Sequence, residues 1–70
     1  MNDMIVIIDY TNHRGERRKR KILPHNIGFK ATEWHPEMQW VLSAYDFEKD
    51  AMRSFAFKDI HGWEQKDETN

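Results

Sequence analysis

The densest chemistry in this 70-residue chain lies between Arg14 and Lys21, where six bases stand against one acid. Guanidinium groups bind phosphate and carboxylate through paired N–H bonds, so such a block suits an anionic ligand. Alternate residues of a strand share a face. Arg18 and Arg20 would therefore form one cationic rail, with Arg14 in the turn before them. The competing reading of the block is a solvated strand edge, kept basic against edge-to-edge pairing. Arg53 is the next candidate, because it is the one charge between Ala51 and Phe57. It can hold an anion bidentately, or pair with Asp46 or Asp50 across a hairpin. Tyr10 and Tyr45 add rings on which a base could stack.

Other chemistries find little support. Glu33-x-His35-x-Glu37 gathers three donors, but neither helical i, i+4 spacing nor a Cys supports them, and no metal is expected. Ser43 and Ser54 fall within strands, without an elbow glycine. No glycine-rich loop is present to cradle a nucleotide. No catalytic residue and no cofactor is assigned, and the chain reads as a non-enzyme.

The elements that must position these residues read as strands. Met4 to Asn12 is rich in β-branched residues. Asn12 to Glu16 supplies turn chemistry, with Gly15 free to take positive φ. Arg17 to Leu23 returns, and at Pro24, which cannot donate to a ladder, the pairing breaks or bends. Ile27 to Lys30 suggests a short further strand, and Thr32 to Met38 a loop. Gln39 to Asp46 is the second strong strand, with Trp40, Leu42 and Ala44 on one face. After a turn at Phe47 to Asp50, Ala51 to Phe57 pairs back. Lys58 to Ile60 forms a short 3₁₀ turn, and His61 to Glu64 a last strand. Four to five short strands fit a small closed or half-closed barrel, because closure removes exposed edges. The expected core is Ile5 or Val6, Ile7 or Ile8, Ile22, Trp40, Leu42, Phe55 and Ile60. Trp34 is expected as an exposed contact, and Trp63 as the cover of a barrel end.

Composition bounds the rest. Apolar residues make up 39% and charged ones 33%, and mean hydropathy is −0.94. No run approaches the roughly 20 apolar residues of a membrane helix. With no Cys, a disulfide scaffold is excluded and nothing points to an oxidising compartment. No signal peptide is visible, and a cytoplasmic setting is expected. A chain of 8.5 kDa leaves no room for a two-domain cleft. One domain is expected over residues 1–65, with 66–70 a frayed polar C-terminus. The net charge of −1 hides an asymmetry: residues 1–30 carry +4 and residues 31–70 carry −5.

Several of these features recur in a familiar order. Tyr10 ends an apolar strand, and His13-Arg14-Gly15-Glu16 makes a polar hairpin. Arg20-x-Ile22-x-Pro24 follows, then Trp40-Val41-Leu42 with Ala44-Tyr45-Asp46. Arg53-x-Phe55 and Phe57-Lys58-Asp59-Ile60 close the set. From Met4 to Trp63 the chain resembles the WYL domain, the ligand-sensing module of many bacterial transcription regulators. Its naming tripeptide stands here as Trp40-Val41-Leu42. The resemblance implies an all-β, Sm-like or SH3-like barrel with a basic surface that receives nucleic acid, nucleotides or another anion. It matches Arg20 and Arg53 to arginines of the family. Regulators of this kind carry a helix-turn-helix ahead of the module. The barrel's first strand starts at Met4, so this chain is expected to stand alone and not to read an operator.

Two functions of different class follow. The first is a non-enzymatic sensor or adaptor that binds single-stranded nucleic acid or a small nucleotide-like anion through Arg14, Arg18, Arg20, Arg53 and Tyr45. The second is a structural module that forms a homo-oligomer or docks on a regulator protein, using its three Trp and four Met. A membrane partner is not expected.

Overall fold

The computed structural model describes residues 4–32 and 36–66. Five antiparallel strands form one sheet: β1 (Ile5–Thr11), β2 (Arg17–Lys30), β3 (Gln39–Asp46), β4 (Ala51–Ala56) and β5 (Ile60–Lys66). Their order across the sheet is β4-β3-β2-β1-β5. A 3₁₀ turn at Phe57–Asp59 joins β4 to β5. The all-β class is as the sequence indicates. The barrel is not closed, since β4 and β5 remain the two outer strands.

Alternation in β1 and β3 builds the core. Val6, Ile8 and Tyr10 of β1 pack with Ile22 of β2, Leu42 and Ala44 of β3 and Phe55 of β4. Met4, Phe57 and Ile60 lie partly buried against this cluster. Tyr10 and Phe55 meet edge to face at 4.9 Å. The Tyr10 hydroxyl accepts a bond from the Ala56 amide at 3.3 Å, linking β1 to β4 where no strand pairing does.

Three expectations need correction. The basic segment is not a sheet edge: β2 is the central strand, paired with β1 on one side and β3 on the other. The pairing does bend at Pro24, but the strand expected to end at Leu23 runs on to Lys30. The register slips by one residue between Pro24 and Asn26, and this bulge absorbs the donor that proline lacks. The slip also moves Ile27 and Phe29 onto the face that carries Ile22, opposite Leu42 and Trp40. The third correction is Trp40, which the alternation of β3 places in the core and which is 57% exposed. Pairing with β1 stops at Ile22 and pairing with β4 at Val41. Beyond those points β2 and β3 run on as a two-stranded arm. Trp40 there meets the Phe29 ring edge-on, 5.4 Å away.

Trp63, opposite Ile8 on β5, is half exposed. β5 reaches Lys66, so the strand takes in the first residue of the expected frayed tail. Trp34 lies outside the described residues.

Candidate anion-binding cleft

The β1–β2 turn is set by one side chain. Asn12 Oδ1 accepts the amides of Arg14 and Glu16, both at 2.9 Å, and its amide nitrogen donates to Glu16 Oε1. Gly15 takes φ +84, which L-residues rarely adopt. This turn holds Arg14 over the mouth of a cleft of about 220 Å³. Tyr10, Asn12, Arg14, Glu16, Arg18 and Arg20 line it from the hairpin side, and Lys49, Arg53, Ser54, Phe55 and Ala56 from the β3–β4 side.

Within the basic strand, register decides which charges enter. Arg18 stands opposite Tyr10 and Arg20 opposite Ile8, the buried face of β1. Arg17, Lys19 and Lys21 take the other face, where Arg17 binds both carboxylate oxygens of Asp9 at 2.9 and 3.0 Å. That contact first, against a smaller effect of desolvation, holds the Asp9 carboxyl below its usual range. The two faces of one strand therefore carry charges of different fate.

Arg20 is 6% exposed and donates from Nη2 to Asp46 Oδ2 at 2.6 Å. Asp46, fully buried, also accepts the turn amides of Glu48 and Lys49 at Oδ1. Burial pushes the Asp46 carboxyl up. The Arg20 bond, the turn amides and the Arg20 charge together outweigh that, and the carboxyl sits below its ordinary value. Arg20 is thus an anchored guanidinium with one open valence. Its Nε is buried and lacks a hydrogen-bond partner. The Glu48 carboxylate stands 3.7 Å from that Nε, and its other oxygen accepts from Arg18 Nη2.

Arg53 reaches the same cleft from β4. It stands opposite Ala44 and shares the face of Phe55. Sequence reasoning offered Asp46 or Asp50 as its partner, but the register gives Asp46 to Arg20, and Asp50 accepts from the Tyr45 hydroxyl. Arg14, Lys49 and Arg53 make no ion pair with any described residue. Glu16, the acid of the cleft lining, has its carboxyl kept low first by its Asn12 bond and further by the charges of Arg14 and Arg18.

Four of the five residues singled out from sequence, Arg14, Arg18, Arg20 and Arg53, come together here. Tyr45 does not. It lies on the opposite face of β3 from Ala44, with its ring edge-on to Phe47 at 5.0 Å. Tyr10 lines the cleft but is 7% exposed, which leaves it no free face for a base. Burial raises its hydroxyl pKa, more than the Ala56 bond lowers it. Sequence reasoning missed Glu48 and Lys49, which look like ordinary turn residues. Only the folding of that turn onto β2, through the Phe47 amide and the Lys21 carbonyl, brings them to the arginines. Of the Glu33, His35 and Glu37 trio, the first two lie outside the described residues. No helix among the described residues is long and apolar enough to cross a membrane.

The family model of the WYL domain matches residues 1–65. No curated protein matches the chain.

Proposed function

This chain belongs to the WYL domain family, and from that premise we propose that it is a non-enzymatic sensor or adaptor module, acting in transcription regulation, that binds an anion in the cleft between the β1–β2 turn and β4. WYL domains are in general ligand-sensing regulatory modules rather than enzymes. The ligand is single-stranded nucleic acid or a small nucleotide-like anion. Arg14 and Arg53 make the ionic contacts, Arg18 joins them, and Arg20 forms the cationic floor. The observation that carries this reading is convergence. Arginines from a turn, from β2 and from β4 line one cleft, although 39 residues of sequence separate Arg14 from Arg53. Like charges held near one another repel, and they are stabilised when an anion arrives.

The test is a titration with short labelled single-stranded DNA and RNA at about 50 and about 200 mM salt. Affinity should fall with salt, and Arg53→Ala should flatten the slope by roughly 0.7 for each phosphate that the variant no longer neutralises. No binding at low salt, or an Arg14→Ala/Arg53→Ala variant that binds like wild type, would overturn it.

A second reading has its own observation. Ile27, Phe29, Met38 and Trp40 are 53–58% exposed, and apolar patches of this kind mark interaction sites. A homo-oligomer or a regulator protein docked there would give a concentration-dependent mass and little salt dependence. Sedimentation at several concentrations separates the two readings.

A further inference from the structure

We propose that Glu48 is a resident anion held on two arginines at the rim of the cationic cleft, and that the ligand which displaces it carries a phosphomonoester dianion. The proposal rests on the cleft being a ligand site, as argued above, and narrows what the ligand is.

Glu48 is not itself part of the cleft lining, but it pairs with two of the arginines that are. One carboxylate oxygen accepts from Arg18 Nη2, and the other lies 3.7 Å from Arg20 Nε. The first contact is a hydrogen bond. The second is too long to be one, and the Nε donor is left unpartnered although it is buried. Asp46 holds Arg20 from the far side at 2.6 Å, so this guanidinium cannot move to improve the fit. A fixed, nine-tenths-buried donor with an unfilled valence is thus bridged imperfectly by a half-exposed carboxylate from a turn.

Exchange thermodynamics then select the ligand. A phosphodiester of an internal strand carries one negative charge, like the carboxylate it would replace. Swapping one monoanion for another gains little. A phosphomonoester carries about −1.5 to −2 at neutral pH and presents three acceptor oxygens. It can satisfy Arg18 and the Arg20 Nε together, with charge left for Arg53. The aromatic residues lining the cleft point the same way. Tyr10 and Phe55 are 7% and 3% exposed, so neither offers a free face for the base stacking on which sequence-tolerant strand binders rely. A cleft of about 220 Å³ also falls below the usual size of ligand pockets, which suits a single charged group.

The experiment compares a labelled tetranucleotide bearing a 5′-phosphate with the same oligonucleotide bearing a 5′-hydroxyl. Both are titrated into wild type, Glu48→Gln and Arg53→Ala at low salt, with inorganic phosphate as competitor. Wild type should prefer the 5′-phosphate by about fivefold, the effect of one further unit charge about 4 Å away when water screens it fully. Glu48→Gln should bind both probes more tightly, by about two- to fivefold, the size of one exposed ion pair released. It should leave the preference between the probes near its wild-type value, because the cost of displacing Glu48 is common to both. Inorganic phosphate should displace the probe. An unchanged melting temperature establishes that Glu48→Gln folds as wild type does. Equal affinity for the two probes in wild type, with no gain in Glu48→Gln, would overturn this inference. If Arg53→Ala still weakened binding in that case, the broader anion-site reading would stand. No binding of either probe to wild type or Glu48→Gln would remove both.

Discussion

The β2–β3 pair has two ends, and they meet opposite fates on the same face of the sheet. At one end Ile22 stands opposite Asp46, and both are fully buried. At the other Phe29 stands opposite Trp40, and both are more than half exposed. Pairing, alternation and residue size do not separate them; the Trp40 end is in fact the more aromatic. What differs is the flank. Ile22 has Val6 of β1 beside it, whereas Phe29 and Trp40 lie past the last paired residues of β1 and β4. A sheet face is buried by what covers it and flanks it, not by the hydrophobicity of its own side chains.

Charge follows the same division. The covered end holds an arginine and an aspartate that bulk water does not reach. They remain there because each is hydrogen-bonded to the other and Asp46 also caps its own turn. The open end carries no comparable network among the described residues. The cationic cleft lies at the covered end, and the exposed apolar side chains at the other.

The largest expected effect tests the covered end. Asp46→Ala strands the Arg20 charge in the interior and removes the acceptor of two turn amides, at a cost of about 3–5 kcal/mol. That is comparable to the whole margin of a chain this small, so circular dichroism should report an unfolded or barely folded variant. The same carboxylate sets a pH dependence. Its pKa is lowered on folding, so its stabilisation is fully present above the unfolded value, near 3.9. That stabilisation is lost as the pH falls through the lower, folded value. Urea midpoints should hold from pH 7 to about 5 and drop below about 4. Asp46→Asn should show a shallower drop.

Next comes a direct contrast between neighbours on one face of β3. Leu42→Ala empties a site that is 1% exposed and should cost about 2–5 kcal/mol. Trp40→Ala, two residues away, removes a larger side chain, yet should cost under about 1 kcal/mol, because that ring is already in water. Equal costs in thermal melts would erase the distinction between the two ends. Smaller again is Arg53→Ala, which breaks no ion pair with a described residue. Its stability should stay within about 0.5 kcal/mol of wild type, while its affinity for anions falls.

Much of this is legible in the residues themselves. The β-branched run of β1 and the Gln39–Asp46 strand announce their faces, since side chains alternate whatever the partner. Asn12 and Gly15 specify the first turn through their own chemistry. The sharing of a face by Arg18 and Arg20 is a property of any strand. Such features are local, and a sequence determines local features by itself.

Tertiary structure alone decided the rest. That β2 is central, that Arg20 is buried, that Asp46 pairs with it and not with Arg53, and that Glu48 reaches two arginines all depend on register between strands distant in sequence. So does the exposure of Trp40, which turns on where β1 and β4 stop. Which neighbour lies across a strand, and whether a third strand flanks the pair, is settled by the packing of the whole sheet, because no residue type encodes the position at which another strand ends.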